Sequence, residues 1–495
     1  MSGFSGKIEH IVVLMLENRS FDNMLGQLYP KSREYDGLAG DETNPVQPNG
    51  SDQIVTVWSR NLVDPANMTI PTPDPGELWT DMNEQIFGPG ATPGDQIPSM
   101  TGFAQNYVEQ GDGAQARDIM HFFLPDQVPV LSHLAKAFAV CDQWYASAPC
   151  QTWPNRFFAH CGTAHGYVND LPTHFPYEMR TIFNMLSEKE GLENPWKVYF
   201  HDFPQALALS RLWPYAERFA FYETSFHEDV ANGRLPAYSF IEPRYFPDTE
   251  LPNDMHPPHD VRVGEQLVAD VYNTLRSAPT WNKTLLVITF DEHGGCYDHA
   301  PPPLAVRPDD VQNGPFPFDR YGVRVPTVVV SPYIPAGTIL HAVPNGTVPH
   351  KGPPYPFDHT SLIATVRKCF ELGGPLTQRD AMAPDLGPVL QLDRPANSGP
   401  VHIPVPPYEG TPEDMRQAQG AERLSDLQNT LLEVAATLPG LSVVMTDAQR
   451  LESIQKHLDA LVRGVFQPPV PSPATAAEAL LFIKRKLGSF LGIPP

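Results

Sequence analysis

The sequence predicts an α/β protein whose mostly parallel sheet is flanked by helices and followed by a C-terminal helical appendage. Two observations predict the sheet. Short uninterrupted apolar runs recur over the first 330 residues, and such runs are typical of strands buried on both faces. The segments between them are long enough for the crossover helices that join parallel strands. The candidate strands are residues 11–16, 137–141, 196–200, 237–241, 284–290 and 325–330.

Apolar residues at three- and four-residue spacings predict two helices beside the sheet. The clearer one covers residues 261–277 and leads into the fifth candidate strand. The second covers residues 361–371, with Thr360 expected as its N-cap. The segments 42–80 and 301–320 are rich in Pro, Asp, Asn and Gly, and we interpret them as long loops that border a crevice.

The character of the chain changes after about residue 394. Pro395 to Pro407 has the composition of a linker, and helical patterns follow near residues 411–437, 446–464 and 474–489. We therefore predict a catalytic domain over residues 1–394, followed by a linker and a C-terminal helical region over residues 395–495.

The charge balance excludes a nucleic-acid-binding protein. The formal net charge is -23, with 57 Asp and Glu against 34 Lys and Arg, and no basic run occurs. No apolar run reaches the roughly 18–20 residues of a membrane span, so any contact with a membrane surface would be transient. No leader of the signal-peptide type is visible, which favours a cytoplasmic location. If a leader had been removed, we would expect a secreted or periplasmic protein.

The five cysteines, at positions 141, 150, 161, 296 and 369, show no C-x-x-C spacing. The absence of this spacing excludes zinc-finger chemistry. We expect buried thiols, and one disulfide among Cys141, Cys150 and Cys161 is the alternative for an exported protein.

Two of the candidate strands run directly into acidic pairs. The first is followed by Glu17 and Asn18, and the fifth by Asp291 and Glu292. Ligands of open α/β sheets bind beyond the carboxyl ends of the strands, so these four side chains are expected to open onto one crevice. Like charges a few ångströms apart raise one another's pKa unless a cation neutralises them. The pairs therefore predict one divalent metal ion, although acids also follow strands simply because loops are polar.

The residue types leave the identity of the metal open. Carboxylate and amide oxygens suit Ca²⁺, Mg²⁺ or Mn²⁺, and Zn²⁺ also accepts carboxylates.

A candidate nucleophile lies between the two acidic pairs. Thr152 suits a helix N-cap and Pro154 suits the first helical turn, so a hydroxyl is expected at a helix N-terminus, where phosphate binds favourably. Metal coordination would lower the pKa of this hydroxyl and make it a nucleophile. Asn155 and Arg156 could hold the non-bridging phosphate oxygens. The alternative is that Thr152 only caps the helix.

Histidines are the expected source of the proton for a leaving alkoxide. His256 is the first choice and His259 the second, because two prolines between them forbid a regular helix and should hold both rings in an exposed loop. The alternative for His256 is a loop histidine bonded to local backbone. His293 and His299 lie near the second acidic pair, and we expect them to orient metal ligands.

Several blocks of the sequence resemble the signature blocks of the phosphoesterase family, which contains bacterial and plant non-specific phospholipases C and bacterial acid phosphatases. The resemblance extends over residues 8–372. Its main blocks are Glu17-Asn18-Arg19-Ser20-Phe21-Asp22, Thr152-Trp153-Pro154-Asn155-Arg156 and Asp291-Glu292-His293-Gly294-Gly295.

This resemblance implies an alkaline-phosphatase-like α/β core. It implies that Glu17, Asn18, Asp291 and Glu292 bind the metal and that Thr152 becomes transiently phosphorylated. It also implies that His256 lies in the active site. The family's acid phosphatases carry serine at the nucleophile position, whereas its phospholipases C typically carry threonine.

The expected function is therefore a phospholipase C that cleaves glycerophospholipids such as phosphatidylcholine into diacylglycerol and a phosphorylated head group. The alternative is an acid phosphatase acting on soluble phosphate esters, or, less favoured, a sulfate-ester hydrolase. A different class is a non-catalytic lipid- or metal-binding protein. The chain departs from the plant pattern at Glu77, where those enzymes have histidine, and Glu77 is a candidate ligand or acid.

Overall fold

The structure is a computed structural model. It describes residues 3–47, 53–60, 67–90, 98–111, 113–170, 175–311, 314–342, 353–408, 410–420, 424–441, 445–463 and 469–492. The strands in these ranges are β1 (His10–Leu16), β2 (Thr43–Val46), β3 (Gln53–Thr56), β4 (Ala139–Cys141), β5 (Trp144–Tyr145), β6 (Trp196–Phe200), β7 (Phe219–Phe221), β8 (Tyr238–Glu242), β9 (Thr284–Phe290), β10 (Thr327–Val330), β11 (Thr338–Leu340) and β12 (Phe357–Asp358).

The α-helices in the same ranges are α1 (Phe21–Leu25), α2 (Trp79–Phe87), α3 (Phe103–Glu109), α4 (Pro129–Ala137), α5 (Thr152–Cys161), α6 (Ile182–Ser187), α7 (His227–Ala231), α8 (Val261–Ser277), α9 (Thr360–Cys369), α10 (Gln378–Met382), α11 (Pro412–Gln419), α12 (Asp426–Thr437), α13 (Asp447–Val462) and α14 (Ala476–Leu491). Within the described ranges, no helix is both long and apolar enough to cross a bilayer.

Eight of the described strands form one central sheet, in the order β11-β4-β10-β9-β1-β8-β6-β7. Neighbouring strands are parallel except at β10, which runs antiparallel to both β4 and β9. The predicted mostly parallel α/β sheet is confirmed, and each of the six candidate runs overlaps one of its strands. The prediction missed β7 and β11, which lie in shorter apolar runs than the five-residue run 137–141 that contains β4.

The neighbouring central strands β1 and β9 end side by side. Leu16, the last residue of β1, pairs with Phe290, the last residue of β9. Every residue from Ile11 to Leu16 and from Thr284 to Phe290 is buried. Helices cover the sheet in two groups. In the first group α8 contacts both α4 and α7, and in the second α5 contacts both α6 and α9. Strands buried on both faces require such covers.

Two predicted helices are present, one with a corrected start. The helix predicted over residues 261–277 is α8, whose N-cap Asp260 accepts a hydrogen bond from the Arg262 N–H. The other is α9, but Thr360 is its first residue and not its N-cap. The Thr360 hydroxyl donates to Asp358 Oδ1 at 2.5 Å, so it is a donor to a carboxylate and does not accept a capping bond.

The predicted long loops are partly correct. The first contains the antiparallel pair of β2 and β3 and the start of α2, while residues 301–311 and 314–320 of the second are irregular. Residues 48–52, 61–66 and 312–313 of these loops lie outside the described residues. All five cysteines are free thiols, four of them buried.

The C-terminal region contains helices α11 to α14 where helical patterns predict them, with residues 421–423 and 464 outside the described part. The predicted linker is not a free spacer, because its backbone carbonyls accept hydrogen bonds from side chains of α8. Tyr272 donates to Pro400 O at 2.6 Å, and Asn273 donates to Ile403 O at 2.9 Å. Gln266 donates to Pro406 O at 2.8 Å. The segment therefore lies along α8.

Replacing Leu14 in the centre of β1 tests this core. Leu14 is fully buried, so Leu14→Ala is expected to lower the free energy of unfolding by about 3 kcal/mol through lost burial and a residual cavity. Leu481, whose exposed fraction is 61%, provides the control, and Leu481→Ala should change that energy by less than about 0.5 kcal/mol. Urea unfolding followed by circular dichroism measures both. Equal losses would contradict the position of β1.

Candidate functional site

The two acidic pairs predicted from the sequence meet at the carboxyl ends of β1 and β9. The backbone N–H of Asn18 donates to Asp291 Oδ1 at 3.0 Å. Asn18 adopts a left-handed conformation with φ of 55°, which Asn tolerates better than most residues. Gly294 packs against it, and a Cβ at position 294 would lie 2.4 Å from the Asn18 carbonyl oxygen. Only glycine allows this approach of the two strand-end loops.

Thr152 lies against the first acidic pair. Its hydroxyl is 3.2 Å from Glu17 Oε2 and 3.4 Å from Asn18 Oδ1. The expectation that Thr152 caps its helix is wrong, because Gln151 occupies the N-cap position and Thr152 is the first residue of α5. Its hydroxyl is thereby free to face the strand ends. The backbone N–H of Thr152 has no acceptor within the described ranges, whereas that of Trp153 donates to Asp170.

Arg156 lies one helical turn after Thr152, on the same face of α5. Its guanidinium is 2.5 Å from Glu17 Oε1, 3.4 Å from Glu242 Oε2 and 3.5 Å from Asp291 Oδ2. All four side chains are buried. Burying ions without partners is costly, so this guanidinium compensates three carboxylates at once. It also fixes the rotation of α5 and with it the position of Thr152.

The sequence expectation that Asn155 and Arg156 hold phosphate oxygens does not match their contacts. The Asn155 amide nitrogen lies within hydrogen-bonding distance of the carbonyl oxygens of Ala148, Cys150 and Gln151, and its oxygen accepts from the Ala148 N–H. Asn155 therefore shapes the loop before α5. Arg156 is engaged by carboxylates, as a residue so deeply buried must be.

The carboxylate oxygens at the strand ends are not fully satisfied. Asp291 Oδ2 and Glu292 Oε1 are buried and lack a hydrogen-bond partner. Burial raises the pKa of Glu17 well above its ordinary range, Arg156 opposes this, and Asp291 adds to it. Burial, Glu77 and Asp291 raise the pKa of Glu292 in the same way. These orphaned oxygens and their mutual repulsion fit a divalent cation bound by Glu17, Asn18, Thr152, Asp291 and Glu292.

Glu77 connects this centre to the histidine loop. Its Oε1 accepts from Asn18 Nδ2 at 2.6 Å and lies 3.4 Å from His256 Nε2. His256 is buried rather than exposed as predicted. Burial lowers the pKa of His256, but the charges of Asp74 and Glu77 outweigh it and raise this pKa well above the ordinary value. His259 instead pairs with Asp254, with Nδ1 and Oδ1 2.6 Å apart.

The other two histidines have different surroundings. His293 Nδ1 is 3.3 Å from Glu292 Oε2, and Nε2 is 2.8 Å from Gln85 Oε1. Burial lowers the pKa of His293 to about 3, which keeps the ring neutral. His299 pairs with Asp22 and Asp36 and therefore does not match the prediction that it orients the metal ligands at the strand ends.

Among the described residues, two groups of three side chains have ligand atoms close enough together to hold a metal ion, Asp22 with Asp298 and His299, and Asp74 with Glu77 and His256; the strand-end carboxylates belong to neither group. In the first, Arg324 lies 3.0 Å from both Asp22 and Asp298 and balances their charge. In the second, the acids face His256. Buried carboxylate oxygens without a hydrogen bond occur both at the strand ends and at Asp74, whose Oδ1 lies 3.7 Å from His256 Nδ1.

The sequence analysis missed several residues that support the centre. Glu242 is the last residue of β8, so the rule that found the acidic pairs also applies to it. Gln205 donates to Glu17 Oε1 at 2.8 Å, and Tyr245 donates to Glu242 Oε2 at 2.7 Å. The His359 ring donates through Nε2 to the Asp291 carbonyl at 2.5 Å, with Nδ1 accepting from Trp144. No local pattern marks these last three residues.

Comparison with known proteins indicates the family of this chain. The model of the phosphoesterase family matches residues 8–373. Non-specific phospholipase C1 of Arabidopsis thaliana is 40% identical over 88% of this chain and 80% of its own length. Phospholipase C B of Mycobacterium tuberculosis (strain CDC 1551 / Oshkosh) is 29% identical over 82% of each chain.

Among solved structures, a protein in the alkaline phosphatase superfamily from Vibrio parahaemolyticus matches with a TM-score of 0.37 and 9% identity, covering 78% of this chain and 71% of that one. The family match spans β1 to α9 and with them all the strand-end residues described above. The chain belongs to the phosphoesterase family.

Proposed function

We propose that this phosphoesterase is a phospholipase C that cleaves glycerophospholipids such as phosphatidylcholine into diacylglycerol and a phosphorylated head group through a phospho-threonine. One observation carries the proposal: the Thr152 hydroxyl is 3.2 Å from Glu17, beside buried carboxylate oxygens that accept no hydrogen bond. The relatives named phospholipase C support the choice of substrate class.

The proposed cofactor is one divalent cation held by Glu17, Asn18, Thr152, Asp291 and Glu292. Such an ion supplies charge for the transferring phosphoryl group and lowers the pKa of a coordinated hydroxyl. The oxygen-rich donor set is compatible with Ca²⁺, Mg²⁺, Mn²⁺ and Zn²⁺.

The protein's own groups have distinct parts in the reaction. Glu17 orients the Thr152 hydroxyl, and Arg156 opposes the rise in the pKa of Glu17 that burial causes, because a guanidinium beside a carboxylate favours its ionised form. Thr152 Oγ1 passes its hydroxyl proton to Glu17 Oε2, 3.2 Å away, and attacks phosphorus in line, while its backbone N–H is available to a non-bridging oxygen. His256 protonates the leaving diacylglycerol oxygen. The same histidine then takes a proton from the water that hydrolyses the phospho-threonine.

Substitution of the nucleophile gives the first test of the mechanism. Thr152→Ala is expected to lower kcat by at least about a thousandfold, because nothing replaces the attacking oxygen. Thr152→Ser retains a hydroxyl and should keep measurable activity. Single-turnover assays with a 32P-labelled phosphodiester should also trap the phospho-enzyme only in proteins with a hydroxyl at position 152. Wild-type turnover by Thr152→Ala would eliminate this assignment.

A substrate panel with and without chelator tests the reaction class. Phosphatidylcholine should yield diacylglycerol and phosphocholine, with EDTA abolishing both and an added divalent ion restoring them, because the carboxylates need a counter-charge. Chromatography of lipid and water-soluble products measures this. Hydrolysis confined to soluble monoesters would instead establish an acid phosphatase, and hydrolysis of no phosphate ester with any divalent ion would establish a binding protein.

The surroundings of His256 predict the pH dependence of kcat. Phosphoryl transfer needs the protonated ring, so activity is present below the pKa of His256 and is lost as pH rises through it. Asp74→Asn removes one charge that raises this pKa, while Glu77 and Asp254 remain. The alkaline limb of kcat should therefore move to lower pH. The surface variant Glu250→Gln is the control, and an unmoved limb in Asp74→Asn would exclude His256 as the acid.

A further inference from the structure

The two residues on either side of the nucleophile are held by one buried residue, Asp170, that the mechanism has not yet used. Asp170 Oδ1 accepts a hydrogen bond from the backbone N–H of Trp153 at 2.7 Å. The backbone N–H of Asp170 donates to Gln151 Oε1 at 3.2 Å. Thr152 lies between Gln151 and Trp153, so this reciprocal pair fixes the start of α5 at the residue that carries the hydroxyl.

Asp170 is in turn connected to the C-terminal helical region. The hydroxyl of Thr430 in α12 donates to the Asp170 carbonyl at 3.3 Å. Thr430 is buried, and a buried hydroxyl without a partner would be destabilising. A helix beyond the family-matched segment is therefore connected by two hydrogen bonds to Trp153, the residue that follows the nucleophile.

A second connection runs from the same helix to the acidic centre. Gln428 Nε2 donates to the Tyr245 carbonyl at 2.8 Å. The Tyr245 hydroxyl donates to Glu242, which pairs with Arg156. Gln428 is buried although its type is usually exposed; its amide nitrogen makes this contact, while its Oε1 accepts from the Ser425 N–H at the start of the same helix.

The remaining buried face of α12 explains how the helix is held in place. Leu427, Leu431, Val434 and Ala435 are buried in the main hydrophobic core, and α12 packs against α14 and residues 205–208. Gln205 in that turn donates to Glu17. The helix is thus anchored by apolar contacts while its few buried polar groups support the centre.

We propose that α12 is a positioning element of the catalytic centre, acting on Thr152 through Asp170 and on Arg156 through Tyr245. The catalytic unit then extends beyond residue 394. The proposal rests on the proposed function for the role of Thr152. Asp170 is a positioning residue, because its contacts are with the backbone and side chain of residues that flank the nucleophile.

Variants at both ends of the first connection test the proposal. Asp170→Ala removes the acceptor for the Trp153 N–H, and we expect kcat to fall by about ten- to a hundredfold with KM changed less than about twofold, since small displacements of a nucleophile are costly. Asp170→Asn keeps an acceptor oxygen and should restore kcat to within about threefold of wild type. Burial raises the pKa of Asp170 to about 8, so the neutral amide is a close substitute.

Variants in α12 carry the matched control. The double variant Gln428→Ala/Thr430→Val should lower kcat about tenfold. Asn429→Ala, on the exposed face between them, loses only a bond to Leu424 O within its own segment and should leave kcat unchanged. Thermal unfolding is measured for every variant. If Asp170→Ala does not fold, the kcat of the double variant relative to that of Asn429→Ala decides whether α12 positions the nucleophile.

Combining Asp170→Ala with Thr152→Ala distinguishes an effect on the position of the nucleophile from an effect on the rest of the centre. In a Thr152→Ala background, Asp170→Ala should cause no further loss of the residual rate, because its effect passes through the missing hydroxyl. Three results would each overturn the proposal. The first is a wild-type kcat in both Asp170→Ala and the double variant, and the second is a loss of kcat in Asn429→Ala as large as that in the double variant. The third is that Asp170→Ala lowers the residual rate of Thr152→Ala by the same factor as it lowers kcat of the wild type. All rates are measured with both phosphatidylcholine and p-nitrophenyl phosphate. If the wild type does not hydrolyse phosphatidylcholine, the proposed substrate is wrong, and this result is distinct from an unchanged kcat in the variants, which would show that the positioning proposal is wrong.

Discussion

The structure depends on the compensation of three buried carboxylates by one guanidinium. Glu17, Glu242 and Asp291 end or follow the neighbouring strands β1, β8 and β9, where the sheet order brings them together. In an interior of low polarity such charges are tolerated only with partners. Arg156 supplies one positive charge, which leaves a deficit that suits a bound cation. The same ion pairs orient α5, so the position of Thr152 follows from charge compensation.

Much of this centre could be predicted because parallel sheets leave a clear pattern in sequence. Strands buried on both faces are uninterrupted apolar runs, and functional side chains follow their carboxyl ends. That reasoning located Glu17 and Asp291 and would also have located Glu242. It could not locate Gln205, Tyr245 or Asp170, whose contacts exist only after distant segments have packed.

The roles of polar residues near a helix start were the least predictable. A threonine before a proline satisfies the preferences of an N-cap, yet Thr152 lies one position inside the helix and faces the strand ends. Asn155 and Arg156 have the chemistry to bind phosphate, but a buried amide and a buried guanidinium first require partners of their own. Local propensity decides where a helix forms, and tertiary packing decides which groups its side chains meet.

The proline-rich segment along α8 has a practical consequence for anyone who shortens this protein. Proline lacks a backbone N–H but retains a carbonyl, so such a segment can accept hydrogen bonds while offering few in return. Ending the chain at the limit of the family match would leave Gln266, Tyr272 and Asn273 without these acceptors. Expression vectors and fusion tags are better designed around the intact polypeptide than around a homology-defined fragment.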